Sequence, residues 1–189
     1  MNFEIEIKLR LPDDVSKMRR FLRAHGFRVA KPRLHETNIL FDNPKQPLGK
    51  QGKLIRVRRA GSDALLTYKG PSKSTRYKKR QELEVHLSDP AVFEEILKQI
   101  GYRPVFRYEK FRTEYIQSSK AGKVLLDETP VGNFLELEGN PGWIDRTARL
   151  LGFSSADYIT GSYGYLYMLY CRERGIRPKD MVFQSRRKA

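Results

Sequence analysis

Residues 3–11 read FEIEIKLRL, and this stretch decides the fold. Phe3, Ile5, Ile7, Leu9 and Leu11 alternate with Glu4, Glu6, Lys8 and Arg10, the period of two of a strand whose two faces meet unlike surroundings. Downstream, Asp13 is placed to cap a helix carrying Val15, Met18, Phe21 and Leu22 on one side, and Gly26 stops it before Phe27. The unit is strand, helix, Gly-aromatic. The same order returns from Glu82-Leu83-Glu84-Val85-His86-Leu87 through Asp89-Pro90 and the stripe Val92, Phe93, Ile96, Leu97, Ile100 to Gly101-Tyr102. A shorter third copy runs from Glu136-Leu137-Glu138 through Trp143, Ile144, Thr147, Leu150 and Leu151 to Gly152-Phe153. The chain is internally repeated.

Between the copies lie further strand patterns at Thr37–Phe41, Leu54–Arg58, Ala64–Lys69, Phe106–Ile116 and Val124–Asp127, separated by turn signals such as Asp42-Asn43-Pro44 and Gly61-Ser62-Asp63. About eight strands and four helices, the last over roughly 162–174, give an α+β fold. The expected architecture is a closed antiparallel β-barrel with helices packed outside. One domain over residues 1–175 is expected, followed by a basic C-terminal tail over 176–189. The Ser- and Lys-rich loop Pro71–Lys79 reads as a mobile flap, and Ser185–Ala189 as a disordered end.

The 189 residues carry 37 Lys and Arg against 22 Asp and Glu, a formal charge of +15, so the partner is expected to be anionic. Cys171 stands alone, which excludes an intramolecular disulfide and a thiolate zinc cluster. His25, His35 and His86 lack metal-ligand spacing and read as ordinary surface or boundary residues. With no apolar leader and no stretch approaching ~18 apolar residues, a soluble, cytoplasmic protein that does not engage a membrane is expected.

Strand after strand carries charges two residues apart, and such pairs share one face. Glu4 and Glu6 precede Lys8, Arg56 pairs with Arg58, Arg80 precedes Glu82 and Glu84, Lys110 pairs with Arg112, and Glu136 with Glu138. If Ile5, Ile7, Ile55, Val57, Leu83, Val85, Leu135 and Leu137 pack beneath the helices, the charged faces line a tunnel. Both signs together suit a ligand of phosphates carrying divalent cations, since basic groups hold phosphoryl oxygens and carboxylates hold hard metals. The competing reading is an exposed sheet laced with surface ion pairs. No GxxxxGK[ST] or GxGxxG occurs, so side chains rather than a backbone cradle must do the binding.

Glu4-Ile5-Glu6-Ile7-Lys8 resembles the ExExK signature of the CYTH superfamily, the triphosphate tunnel metalloenzymes. Leu54-Ile55-Arg56-Val57-Arg58 is similar to that family's paired-arginine strand, Thr67-Tyr68-Lys69-Gly70-Pro71 to its lysine strand, and Arg80-Gln81-Glu82-Leu83-Glu84 to its central ExE strand. Glu109-Lys110-Phe111-Arg112, Leu126-Asp127, Phe134-Leu135-Glu136-Leu137-Glu138 and Ser162-Tyr163 follow in family order. The TYKGP segment and the closing Ser-Tyr helix most resemble the bacterial class IV adenylyl cyclases. The chain departs from many members at Asn38 and Leu40, where they carry Asp and Tyr. It also has Leu54 where animal thiamine triphosphatases carry a tryptophan, which argues against that activity.

The resemblance implies that Lys8, Arg56, Arg58, Lys69, Arg80, Lys110 and Arg112 contact the phosphates. It implies Mg2+ or Mn2+ on Glu4, Glu6, Asp127, Glu136 and Glu138, with Glu4, Glu6, Lys8, Glu136 and Glu138 as the catalytic set. Glu82 and Glu84 line the tunnel, and Lys73, Arg76, Lys78 and Lys79 are placed to close over it. Conversion of ATP to cyclic AMP and pyrophosphate is the expected reaction, hydrolysis of an inorganic or organic triphosphate the alternative, and a nonenzymatic binder of RNA or polyphosphate the third reading. The expected partner is a nucleoside triphosphate or inorganic triphosphate ahead of nucleic acid, with a homodimer compatible. Crowding of the carboxylates predicts that Glu136→Gln leaves the metal-free fold unharmed or more stable.

Overall fold

The computed structural model describes residues 3–117 and 121–184. Its elements are β1 (Phe3–Leu11), α1 (Ser16–Ala24), β2 (Arg28–Asp42), β3 (Leu54–Ala60), β4 (Asp63–Lys69), β5 (Lys73–Ser74), β6 (Lys78–His86), α2 (Pro90–Gln99), β7 (Arg103–Ile116), β8 (Gly122–Thr129), β9 (Gly132–Gly139), α3 (Pro141–Leu150) and α4 (Tyr163–Glu173). The strands pair antiparallel in the order β1-β9-β8-β7-β2-β3-β4-β6, and β1 meets β6 to close a barrel of eight, with β5 added to β6. Closure leaves no long free sheet edge, which is how an all-antiparallel sheet of this size avoids edge pairing.

The three sequence repeats end in the same geometry. Gly26, Gly101 and Gly152 have φ of 78°, 94° and 86°, a region that glycine enters without a Cβ clash. The next residue then donates its N–H to the carbonyl five positions back: Phe27 to Leu22, Tyr102 to Leu97 and Phe153 to Ala148. This closure satisfies helix-end carbonyls and swings an aromatic ring back onto the helix it ends. Helix starts are equally local for α2 and α3, where Asp89 and Asn140 accept from the first-turn N–H groups and proline follows each. For α1 the expectation fails: the helix begins at Ser16 without a side-chain cap, and Asp14, not Asp13, accepts from the Ser16 N–H at 2.8 Å.

Helices α1 and α3 press Leu22, Trp143, Ile144 and Ala148 onto the outer faces of β1, β8 and β9, where Ile7, Leu9, Val124, Leu126, Leu135 and Leu137 are buried. Helix α2 places Leu97 and Phe93 over Phe41 and Val57 of β2 and β3. Among the described residues no helix does the same for β6. Leu83 and Val85, expected beneath a helix, remain 52% and 54% exposed, so the outer face of β6 is the uncovered stave of the barrel.

Helix α4 lies across one end of the barrel. Its Tyr163 and Leu166 pack with Tyr108 and Phe134, joined by Leu40 and Phe106. Cys171, on the same helix, is buried. Residues beyond 175 continue onto β7: Met181 exchanges backbone hydrogen bonds with Arg107 and Glu109 and is fully buried. The basic stretch Ser185–Ala189 falls outside the described residues.

The proposed flap is partly built. Lys73–Ser74 pairs with Lys78–Lys79, and Arg76 reaches Asp145 of α3 at 3.0 Å. Where β8 begins, a Cβ on Gly122 would stand 2.5 Å from the Trp143 ring and 2.7 Å from the Glu138 carbonyl. Trp143 is buried and cannot yield, so Gly122→Ala is expected to cost about 1–3 kcal/mol in urea unfolding, with a shifted tryptophan emission. An unchanged transition midpoint would contradict this packing.

Candidate active site

The register of the barrel sets acids beside bases on its inner face. Lys8 lies opposite Glu136 and Glu6 opposite Glu138 across β1 and β9. Glu4 faces Arg80 and Glu6 faces Lys78 across β6. Lys69 is paired with Glu82, Glu36 with Lys110, and Arg112 with Asp127. Neighbours in register stand about 4.5–5.5 Å apart, within reach of long side chains. The result is a network: Lys8 bridges Glu6 at 3.2 Å and Glu136 at 3.0 Å, Lys69 bridges Glu4 at 2.5 Å and Glu82 at 2.8 Å, and Lys78 reaches Glu6 at 2.7 Å. Arg56 and Arg58 share Glu84.

The enclosed space is about 280 Å³, lined by ten basic and nine acidic side chains. Its regions differ in chemistry. Around Glu4, Glu6 and Glu138 the carboxylates gather, with one oxygen from each within 4.8 Å of the others. Beneath α4 the wall turns apolar and aromatic, formed by Leu40, Leu54, Phe106, Tyr108 and Tyr163. At the rim stand Lys31, Pro32, Leu34, Asp63 and Lys123.

Residues 2–163 match the CYTH domain family. The chain belongs to that family. A Methanocaldococcus jannaschii protein named as a candidate adenylate cyclase is 29% identical over 148 residues, which cover 78% of this chain and 83% of that protein. Among solved structures, a candidate adenylate cyclase from Vibrio parahaemolyticus superposes with a TM-score of 0.76 at 19% identity, covering 87% of this chain and 97% of the other. A Hippeastrum protein, named a candidate adenylyl cyclase with a dominant triphosphatase activity, gives a TM-score of 0.60 at 16% identity, covering 93% and 97%.

Within this CYTH tunnel the expected residues fall into three groups. Lys8, Arg56, Arg58, Lys69, Lys110 and Arg112 all point into the tunnel, as do Glu4, Glu6, Glu136 and Glu138. Arg80 also lines it, yet its guanidinium donates to the carbonyls of Gly70 and Gly52 and so ties two loops together. Asp127 is fully buried behind the wall and stands apart from the three-carboxylate cluster. It accepts from Lys110 Nζ at 2.9 Å, from Arg112 Nε and Nη2 at 2.6 Å each, and from the Tyr163 hydroxyl at 2.6 Å. That geometry makes Asp127 the clamp that aims two tunnel cations, and it roots α4 in the same clamp.

Sequence reasoning missed Glu36, Tyr108 and the contact made by Tyr163, and it placed Lys78 on the flap where the structure sets it in the tunnel wall against Glu6. Lys78 carried a usable signal, since Lys78, Arg80, Glu82 and Glu84 keep the period of two, but its place in a Ser- and Lys-rich segment hid it. Glu36 sits on a face shared with Leu34, Asn38 and Leu40, too mixed to read as a charged stripe.

The cluster carries surplus negative charge. Burial pushes the Glu4 carboxyl up to about 7, with Glu6 adding to the shift and Lys69 opposing it. Glu138 is also raised by burial, against Lys123 and with Glu4 and Glu136 contributing. Glu6 and Glu136 move the other way. Burial opposes their ionisation, yet Lys8 and Lys78 hold Glu6 low, and Lys8 and Arg112 hold Glu136 well below the usual carboxylate range. Glu4 and Glu138, whose ionisation burial disfavours, and Glu6, held ionised by Lys8 and Lys78, together fit the oxygen donor set of a hard divalent metal.

These assignments correct the expectation for Glu136→Gln. Its carboxylate is a partner of Lys8 and Arg112, so removing the charge leaves buried cations under-paired. The metal-free protein is expected to lose about 1–3 kcal/mol. Glu4→Gln should do the opposite. Unfolded, Glu4 titrates near 4.5; native, near 7. Between those values the native state keeps a proton that the unfolded chain has lost, so stability falls as pH rises through the window. Chemical denaturation of the metal-free protein from pH 5 to pH 8 should show this decline, flattened in Glu4→Gln. Identical slopes would contradict the crowding of Glu4.

Proposed function

We propose that this CYTH protein is a metal-dependent enzyme that holds a triphosphate in the barrel, with cyclisation of ATP to cyclic AMP and pyrophosphate as its reaction. The observation that carries the reading is the Glu4, Glu6, Glu138 cluster set in one space with the cations Lys8, Arg56, Arg58, Lys69, Lys110 and Arg112. Glu4, Glu6 and Glu138 would hold Mg2+ or Mn2+, which supplies charge stabilisation to phosphoryl oxygens. Lys8, Lys69 and Lys78 border the cluster and are placed to take phosphate oxygens from their present carboxylate partners. Arg56 and Arg58 from β3, and Lys110 and Arg112 aimed by Asp127, approach from the other walls. Such fixed cations stabilise charge that develops on a departing polyphosphate without reorganising at the moment of reaction.

The apolar end under α4 favours a nucleoside over bare triphosphate, since Leu40, Leu54, Phe106 and Tyr108 offer a surface for a base and ribose and nothing for further phosphates. Hydrolysis is the second reading, because the fold is shared with a protein described by its triphosphatase activity. Product analysis separates the two. Purified protein with ATP and Mg2+ or Mn2+ should release cyclic AMP and pyrophosphate, and excess EDTA should abolish the reaction. Orthophosphate without cyclic AMP would replace the first reading by the second, and full activity in EDTA would sink the metal. Lys69→Ala should reduce turnover by roughly a hundredfold or more, while Lys73→Ala, exposed on β5, should reduce it little.

A further inference from the structure

The tunnel does not account for the charge of the chain. Its lining holds ten of the 37 basic side chains and nine of the 22 acidic ones, so 27 basic and 13 acidic residues lie elsewhere. The +15 is therefore almost wholly external to the site that binds the proposed substrate.

It is also unevenly spread. From Val15 to His35 there are seven basic residues and no acidic one. Lys17, Arg20 and Arg23 follow at three-residue spacing along one exposed side of α1, and Arg28, Lys31 and Arg33 are exposed along the first half of β2. The two elements are joined at one carboxylate: Arg19 and Arg33 both bridge Glu128, at 2.5 and 2.9 Å, so two cations share a single counter-charge. Asp13 and Asp14 precede the strip and the buried Glu36 follows it, Lys31 stands 3.9 Å from Glu114, and Lys31 and Pro32 carry the strip to the tunnel rim.

We propose that this face of α1 and β2 docks single-stranded nucleic acid through its phosphate backbone. Five of the seven cations are arginines, whose planar forks suit phosphate oxygens. The ring of His25 stacks on Phe21 at 3.9 Å and is itself exposed, and the ring of exposed His35 lies 5.0 Å from Phe111, so two flat rings border the strip on which a base can rest. A membrane is the poorer fit, since the apolar side of α1 (Met18, Phe21, Leu22) is turned into the core and Val29 alone in the stretch is a large exposed hydrophobic. An acidic protein would find no apolar anchor there. The inference goes beyond the tunnel chemistry and stands or falls without it.

The test is fluorescence anisotropy with a labelled 5′-hydroxyl oligoribonucleotide of about 16 nucleotides, which offers the tunnel no triphosphate. Binding should weaken steeply between about 50 and 200 mM salt, with a log–log slope of roughly −2 to −4. The variant Lys17→Glu/Arg20→Glu/Arg23→Glu should bind roughly tenfold or more weakly, with a slope shallower by about 2, while its turnover of free triphosphate stays unchanged. Arg20→Gln/Arg23→Gln gives the same direction with less disturbance if the charge reversal fails to fold. The proposal is overturned if the unaltered protein does not bind the RNA, or if Lys45→Glu/Lys50→Glu/Lys98→Glu, of equal charge change away from the strip, weakens binding as much. It is overturned equally if inorganic polyphosphate or phosphatidylserine vesicles bind while the RNA does not.

Discussion

A charge placed inside a barrel must meet its opposite within a few ångströms or lose more to desolvation than the fold can supply. The pairing of β1 with β9 and β6 satisfies that constraint, since it sets Lys8 beside Glu136 and Glu6 beside Lys78 at 2.7–3.0 Å. Everything else in the molecule follows from keeping those neighbours in register. A slip of one residue in β1 would turn Ile5 and Ile7 into the tunnel and Glu4 and Glu6 beneath α1 and α3. The helices, with their repeated glycine ends, fix the register from outside, and the ion pairs fix it from inside.

The balance is not perfect anywhere it matters. Around Glu4 and Glu138 negative charge exceeds what Lys69 and Lys123 neutralise, which raises both carboxyls. Around Asp127 the arrangement is tighter: Lys110, Arg112 and the Tyr163 hydroxyl all donate to one carboxylate, while Lys110 also faces Glu36 and Arg112 also faces Glu136. Under the proposed function, a metal at the first place and phosphates along the second would take over from the present ion pairs. Helix α4 belongs to this arrangement: Tyr163 closes one barrel end with an apolar wall and braces the clamp behind the cations.

Much of this was legible in the chain because local chemistry and global fold agree in β1, β3, β4 and β9. In β1 the alternation is strict, in the other three the charged residues mark the inner face, and Glu4, Glu6, Lys8, Arg56, Arg58 and Lys69 face inward as the pattern implies. The Gly-aromatic signals at Gly26, Gly101 and Gly152 named three helix ends. What escaped did so for physical reasons. Leu83 and Val85 have the alternation of a covered strand, but cover depends on where α2 lands, and α2 lands on β2 and β3. Asp127 carries the residue type of a metal ligand, and only its neighbours reveal that its oxygens are already taken. Glu136 looked crowded by acids in the sequence, while its nearest charges in space are Lys8 and Arg112 from other strands.

The central claim is that the carboxylates at one place in the tunnel hold a cation and the surrounding bases hold the phosphates it carries. Anomalous diffraction from crystals grown with Mn2+ and a nonreactive ATP analogue tests it directly. The account predicts a manganese peak among Glu4, Glu6 and Glu138, with phosphate oxygens on Lys8, Lys69 and Arg112 and the base toward Phe106 and Tyr108. A peak centred on Asp127, or an analogue bound outside the barrel, would contradict it.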